Sequence, residues 1–114
     1  MAQTEIATID ASVPGVTLVN VYEVEPGKQA DLVRLLSEVT QATIRKQPGF
    51  ISVSVHSSFD GKRVVNYAQW ASKADFESFM KAPETQEQLK RFAALALSVS
   101  PALYRVDAVH SATW

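Results

Sequence analysis

The stretch Val64-Val65-Asn66-Tyr67-Ala68-Gln69-Trp70 has the apolar character of a buried strand, yet it carries an amide and an indole. Because side chains alternate between the two faces of a strand, Asn66 and Trp70 share one face. A buried amide costs free energy unless it is hydrogen-bonded. The stretch therefore predicts a buried strand whose Asn66 and Trp70 bind a polar atom of an aromatic molecule.

The composition is that of one ordinary domain, with 114 residues of which 46% are hydrophobic and 20% charged. A net charge of −1 with scattered Lys and Arg indicates no nucleic-acid partner, and no segment is long enough to cross a membrane. The absence of Cys excludes disulfides, thiolate metal sites and thiol catalysis. No secretory signal is visible, so we expect a cytoplasmic, soluble protein. Residues 1–14 are predicted to form a loose tail or an arm on a partner, and residues 15–114 the domain.

Apolar periodicity and turn signals predict the element order βαββαβ, with the second crossover helix split in two. Strands are predicted at 16–24, 50–58, 62–71 and from 101 to about 109, and helices around 32–39, 72–80 and 83–96. Ser72 is predicted to cap the second helix, with Asp75 in a capping box. This is the ferredoxin-like α+β pattern, and right-handed crossovers give a four-stranded antiparallel sheet in the order 4-1-3-2.

The two halves of the chain resemble each other, since Val19-Asn20-Val21-Tyr22 matches Val65-Asn66-Tyr67. Strands 1 and 3 are neighbours in the predicted sheet, so Asn20 and Asn66 are expected side by side on one face. The opposite face is predicted to be apolar and to carry Val19, Val21, Ile51, Val53, Val55 and Val65. Such a face exceeds what soluble monomers usually expose, so we predict a twofold homodimer that packs sheet on sheet.

The hairpin around Phe59-Asp60-Gly61 decides where His56 points. A three-residue loop pairs Ser58 with Lys62 and places His56 on the face of Asn66. A two-residue loop would shift the pairing by one residue and turn His56 to the other face. We favour the three-residue loop, because it gathers the apolar residues of the second strand on the apolar face.

This register predicts a pocket between the sheet and the helices. Its floor comprises Asn20, Ser52, Ser54, His56, Asn66, Ala68 and Trp70, and its roof Phe76, Phe79, Met80 and Phe92. Each residue alone is explained by ordinary packing, but their convergence favours a site for a flat ligand. Dinucleotide, P-loop and HExxH motifs are absent. His56 and His110 fall on opposite edges of the sheet, so no metal site is predicted.

The motifs Gly49-Phe50, His56, Asp60-Gly61 and Val64 to Trp70, followed by a Ser-capped helix, resemble the antibiotic biosynthesis monooxygenase family over about residues 16–110. Within it, the likeness is to the anthrone-type oxygenases of aromatic polyketide pathways. The resemblance implies a dimeric α/β barrel built from two ferredoxin-like protomers. It also implies oxidation of polycyclic phenols by O2 without metal, flavin or other cofactor.

The resemblance implies catalytic roles for Asn66, Trp70, His56 and Asn20. The amides would stabilise an enolate oxygen, Trp70 would stack on the substrate and donate its N–H, and His56 would act as general base. Substrate contacts are expected from Ser54, Tyr22, Phe76, Phe79, Met80 and Phe92. Phe76 stands where some relatives have tyrosine, which removes a phenol donor, and a basic residue of some members aligns with Lys90 or Arg91.

Three other functions remain open. A haem-degrading oxygenase shares the strand asparagine and tryptophan, but it needs a histidine on the helix after Trp70, and residues 73–81 contain none. A non-catalytic domain that binds small aromatic molecules would use the same pocket. An isomerase or decarboxylase with His56 as base is the third.

Overall fold

A computed structural model describes residues 5–113, which form a four-stranded antiparallel sheet with helices on one face. The strands are β1 (Val16–Glu23), β2 (Phe50–Ser57), β3 (Arg63–Trp70) and β4 (Ser98–Tyr104), and the helices are α1 (Gln29–Ala42), α2 (Lys73–Lys81) and α3 (Pro83–Ala94). Short 3-10 turns at Pro26–Lys28 and Ile44–Lys46 flank α1. The strand order β2-β3-β1-β4 confirms the predicted ferredoxin-like topology.

The core lies between the sheet and the helices in two apolar clusters. One is formed by Tyr22, Val24, Leu32, Leu36, Val39, Val64 and Phe92, and the other by Ala68, Trp70 and Phe76. Helix α1 reaches the first cluster through Leu32, Leu36 and Val39, which recur at helical spacing. The second cluster surrounds Trp70, so the last residue of the stretch from Val64 to Trp70 lies at the centre of this part of the core.

The start of α2 is fixed by the predicted cap. The Asp75 backbone N–H donates to Ser72 Oγ at 3.0 Å, and Ser72 Oγ donates to Asp75 Oδ2 at 2.9 Å. These bonds satisfy a free N–H group of the first turn. Because α2 begins so soon after β3 ends, its aromatic side chains fold back onto Trp70.

The last strand differs from its predicted bounds, because β4 begins three residues before Pro101 and ends at Tyr104. Pro101 therefore lies inside the strand, where it pairs with Asn20. A proline is tolerated there because β4 is an edge strand. The α3 stripe was predicted to reach residue 96, but the helix ends at Ala94.

The register of β2 on β3 is the main departure from the prediction. Phe50 pairs with Trp70 as expected, but a bulge between Phe50 and Ser52 shifts the pairing of the following residues by one. His56 consequently pairs with Val65 rather than Val64, and its predicted position beside Asn66 is wrong. Ser52 and Ser54 turn away from the helices in the same way.

The loop explains the shift, because it has four residues rather than three or two. The Ser58 N–H donates to the Arg63 carbonyl at 3.0 Å, which closes the hairpin one residue later than predicted. Side chains hold this loop: the Arg63 N–H donates to Ser58 Oγ at 2.9 Å, and the Lys62 N–H donates to Asp60 Oδ1 at 2.9 Å. Gly61 takes the left-handed conformation at φ 79°.

Burial favours the observed register. Val53 and Val55 now pack against the core clusters, whereas the prediction placed them on the outer face. Burying a valine side chain stabilises a fold by about 1.5–3 kcal/mol. Two valines outweigh any gain from burying two serines and a histidine that would need partners.

The sheet face away from the helices, here called the open face, is more polar than predicted. The strand registers place on it Thr17, Val19, Val21, Ser52, Ser54, His56, Val65, Tyr67, Gln69, Ser100, Ala102 and Tyr104. Ile51 is the extra residue at the bulge and is 48% exposed. The apolar argument for dimerisation thus rests on fewer residues, and the homodimer stays a prediction.

The described part of the predicted tail, residues 5–14, has no helix or strand and lies against its own domain. Gln69 Nε2 donates to the Thr8 carbonyl at 3.0 Å, and Arg45 pairs with Glu5 at 2.9 Å. Residues 1–4 of the predicted tail, and Trp114 of the predicted domain, lie outside the described residues. The boundary at residue 15 stays a prediction.

Candidate active site

A narrow cavity of about 40 Å³ lies between the central strands and helices α2 and α3. Its polar lining comprises Asn20, Tyr22, Asn66, Trp70, Thr85 and Gln88, and its apolar lining includes Val53, Phe79, Met80, Leu89 and Phe92. A water molecule needs about 10–15 Å³ of such space, so the cavity as it stands holds a few water-sized groups. A ligand larger than a few water molecules would fit only if half-buried side chains of the roof, such as Phe79 and Met80, moved aside.

The floor of the cavity is a pair of amides on neighbouring strands. Asn20 and Asn66 are direct partners in the antiparallel pairing of β1 with β3, which confirms their predicted adjacency. Asn20 is only 6% exposed. Since directly paired side chains on one face lie close together, the two amides act on the same small volume.

Three buried polar atoms on residues that line this cavity have no hydrogen-bond partner within residues 5–113: Asn20 Oδ1, Asn66 Oδ1 and Trp70 Nε1. Nearly all buried polar groups in folded proteins are hydrogen-bonded, and each that is not costs about 1–3 kcal/mol. Two acceptors and one donor therefore require a partner from outside residues 5–113, such as a water molecule or the polar groups of a ligand. This set matches a ligand that carries both hydroxyl and carbonyl groups.

Tyr22 adds a phenol to the amide pair. Asn20 Nδ2 donates a hydrogen bond to the Tyr22 hydroxyl oxygen at 3.1 Å. The Tyr22 side chain is 2% exposed, and this burial raises its pKa to about 12. At neutral pH the phenol is therefore protonated, and it serves as a hydrogen-bond donor.

Trp70 is held by aromatic contacts. Phe79 stacks on the indole with ring centroids 4.8 Å apart, and Phe50 and Phe76 meet it edge-on at 5.7 and 6.1 Å. Phe79 lines the cavity, whereas Phe76 is absent from the described lining and supports Trp70 from outside it. The indole is thus held on the helix side of β3, where Trp70 lines the cavity.

His56 does not line this cavity, because its side chain is exposed on the open face, on the other side of the sheet. Ser54, also predicted as a pocket residue, lines a separate cavity of about 320 Å³ between residues 5–7, α1 and β2. No Asp, Glu, His, Lys or Arg occurs among the described residues that line the cavity of Asn66. The predicted general base is therefore missing from the site within one protomer.

Two polar residues of α3 were not predicted for the site. Thr85, which is 5% exposed, and Gln88 lie on the same helix face as Leu89 and Phe92, and all four line the cavity. The signal in the sequence was a polar pair at helical spacing within an apolar stripe. The neighbouring Lys90 and Arg91 are exposed and lie outside the lining.

Between residues 5 and 113, no three His, Asp or Glu side chains cluster as metal ligands would. Over the same range, no helix combines the length and the apolar character that crossing a membrane requires.

Comparison with known proteins places this site in context. Residues 15–94 match the sequence model of the family described as antibiotic biosynthesis monooxygenase. The chain is 49% identical over 81 residues to the tetracenomycin-F1 monooxygenase of Streptomyces glaucescens, which covers 71% of this chain and 72% of that protein.

Solved structures agree. The monooxygenase from the gene ActVA-Orf6 of Streptomyces coelicolor, in complex with nanaomycin D, superposes with a TM-score of 0.80 at 30% identity, over 87% of this chain and 93% of that one. SnoaB, a cofactor-independent oxygenase from Streptomyces nogalater, shares the fold with a TM-score of 0.69 at 21% identity, over 83% of this chain and 95% of that one. The resemblance predicted from the Asn66 to Trp70 motif is confirmed: the chain is a monooxygenase of the antibiotic biosynthesis monooxygenase family.

Proposed function

We propose that the chain is a cofactor-independent monooxygenase that oxidises a polycyclic phenol of the anthrone or hydroquinone type to a quinone with O2. The observation that carries this proposal is the set of three buried polar atoms without partners, on Asn20, Asn66 and Trp70, in one aromatic-walled cavity. The names of the similar proteins, a tetracenomycin-F1 monooxygenase and a monooxygenase in complex with nanaomycin D, support an aromatic substrate.

The reaction balances without an added reductant. An anthrone methylene group and O2 give a carbonyl group and water: two C–H bonds and the O–O bond break, and a C=O bond and two O–H bonds form. The carbon loses four electrons, so the substrate reduces both oxygen atoms itself. The protein therefore needs only to bind the substrate anion, admit O2 and restrict bulk water.

The polar atoms of the cavity fit this anion. The Trp70 N–H donates to the enolate oxygen, and the amide oxygens of Asn20 and Asn66 accept from phenol hydroxyl groups on the same ring system. Donors aimed at developing charge in a dry site stabilise it more than they would in water. Since the described lining offers no carboxylate or imidazole, the first proton passes to water as the hydrogen bonds stabilise the anion.

The test is oxygen consumption with a simple hydroxyanthrone, measured above the protein-free autoxidation rate. With ¹⁸O2, we expect one labelled atom in the product carbonyl and the other in water, and no product under anaerobic conditions. Quenching of tryptophan fluorescence by the anthrone, if it were lost in Trp70→Phe and accompanied by no oxygen uptake, would instead identify a non-catalytic binding domain. A Soret shift on addition of haem would favour the haem-degrading alternative, which the absence of His from the described lining disfavours.

A further inference from the structure

The cavity contains one ionisable side chain among its described lining residues, and it is Tyr22. Oxidation of a methylene group needs proton transfer at two later points. The peroxide anion formed when O2 adds to the carbanion must gain a proton, and the remaining C–H must lose one as the O–O bond breaks. Asn20, Asn66, Thr85 and Gln88 have amide or hydroxyl groups that do not ionise near neutral pH.

The hydrogen bond from Asn20 determines which hydrogen-bonding role remains for the Tyr22 hydroxyl group. Asn20 Nδ2 is the donor and the phenol oxygen the acceptor, at 3.1 Å. In this orientation of the amide, the phenol O–H is not needed for the bond to Asn20 and is free to donate. Both side chains line the cavity, and they lie two residues apart on β1, so they share a face.

We propose that Tyr22 is the proton donor to the peroxide oxygen in this oxygenation, with Asn20 as the residue that orients its hydroxyl. The proposal rests on the proposed function.

The steps balance in protons and electrons. The substrate anion and O2 form a C–O bond and give the peroxide anion, which takes the proton of the Tyr22 hydroxyl to give a hydroperoxide and a Tyr22 phenolate. The phenolate then removes the remaining proton from the same carbon as the O–O bond breaks. The products are the carbonyl, hydroxide and the restored Tyr22 phenol, and the hydroxide takes up the proton that the substrate first released.

The electrostatics of the site agree with this cycle. Burial raises the pKa of Tyr22 to about 12, so the phenol stays protonated until it meets a strong base such as a peroxide anion. The same burial makes the phenolate, once formed, a strong base towards the C–H group. Acid and base catalysis of this kind contributes about 10²–10⁴-fold to rate.

The test compares Tyr22→Phe with the wild-type protein. The variant removes one oxygen and keeps the buried ring, so we expect substrate binding to persist, with KM changed by less than about threefold. We expect kcat to fall by about 10²-fold and organic hydroperoxide to accumulate, measured with a ferrous-iron dye. Tyr67→Phe is the matched control, since Tyr67 lies on the open face of the neighbouring strand.

The outcomes separate the two proposals. A wild-type protein that consumes no oxygen above the protein-free rate overturns both. If the wild-type protein oxidises the anthrone and Tyr22→Phe keeps its kcat and releases no hydroperoxide, the role of Tyr22 is overturned and the oxygenase function stands. Equal losses in Tyr22→Phe and Tyr67→Phe would also count against a specific role.

A second variant covers the case in which Tyr22→Phe does not fold. In a chain carrying Tyr67→Phe and Tyr104→Phe, fluorinated tyrosine enters only at position 22, because the chain has three tyrosines. Fluorine makes the phenol more acidic with little change in size. A proton donor is active only when protonated, so the alkaline limit of kcat must move to lower pH, and an unmoved limit overturns the proposal.

Discussion

Replacing Asn66 with leucine should raise stability and abolish most activity. Asn66 Oδ1 is buried and lacks a hydrogen-bond partner within the described part of the chain, which costs about 1–3 kcal/mol. Leucine has nearly the same shape and no polar atom, and its neighbours include Val55, the cross-strand partner. We therefore expect the free energy of unfolding to rise by about 1 kcal/mol, and Tm by roughly 4 °C for a domain of this size.

Activity should change in the opposite direction. Loss of one polar group that binds the substrate anion typically lowers kcat by about 10²–10³-fold. The assays are thermal unfolding followed by circular dichroism, and oxygen consumption with a hydroxyanthrone. A gain in stability together with a loss of turnover is the signature of a polar group kept for function rather than for folding.

The matched control is Gln69→Leu, an amide on the same strand that faces the other way. Gln69 Nε2 donates to the Thr8 carbonyl, so its loss should lower the free energy of unfolding by about 0.5–1.5 kcal/mol and leave turnover unchanged. The reasoning is refuted if Asn66→Leu is destabilised as much as Gln69→Leu. That result would mean that the Asn66 oxygen is satisfied in the folded protein.

The remaining predictions concern four other features. Trp70→Phe, which removes the indole N–H but keeps an aromatic ring, should lower turnover at least tenfold; it should also cost about 1–3 kcal/mol of stability, because the smaller ring leaves a gap among the packed phenylalanines, and unchanged oxidation rates would contradict the prediction. His56→Ala should leave turnover and Tm unchanged because His56 is exposed on the open face. A tenfold loss of turnover would show that His56 takes part in the reaction despite this position. Tyr22 has its folded-state pKa raised to about 12 from 10.0, so its stabilising contribution, roughly 2–3 kcal/mol, is complete below pH ~10 and lost as pH rises through ~12. Urea titrations across that range should show this slope in the wild-type protein and not in Tyr22→Phe. Light scattering at micromolar concentration should give the mass of a homodimer, and a monomer would refute the sheet-to-sheet packing.

The fold was predictable because the strongest signals were local and redundant. Helical spacing at Leu32, Leu36 and Val39, the Ser72 cap and the apolar strands each indicated one element, and crossover handedness left one strand order. The adjacency of Asn20 and Asn66 followed from that order alone. The sheet face on which Trp70 lies was also predicted correctly, because the alternation of side chains along one strand does not depend on any other element.

The position of His56 was not predictable from the same signals, because it depends on the register between two strands. The bulge after Phe50 and the four-residue loop held by Ser58 and Asp60 each add one residue, and neither leaves a plain mark in the sequence. A bulge is set by packing on both sides of the strand, here by Phe50 against Trp70 and by Val53 and Val55 against the core. The binary pattern favours the observed register, since valines are buried more often than serines, but the expectation of a second apolar sheet face favoured the other one.

The bulge at Ile51 and the four-residue loop are coupled, because a ladder in which Ile51 paired regularly with Gln69 would leave a loop of three residues at the same chain length. Such a slip would move the intervening segment by one position and exchange its two sides without any change of sequence. Two valines would leave the interior, and two serines and an imidazole would enter on the side of the amide pair. The groups that this strand presents to the cavity are thus set by its alignment with the neighbouring strand as much as by its residues, and the burial of the two valines holds that alignment in place.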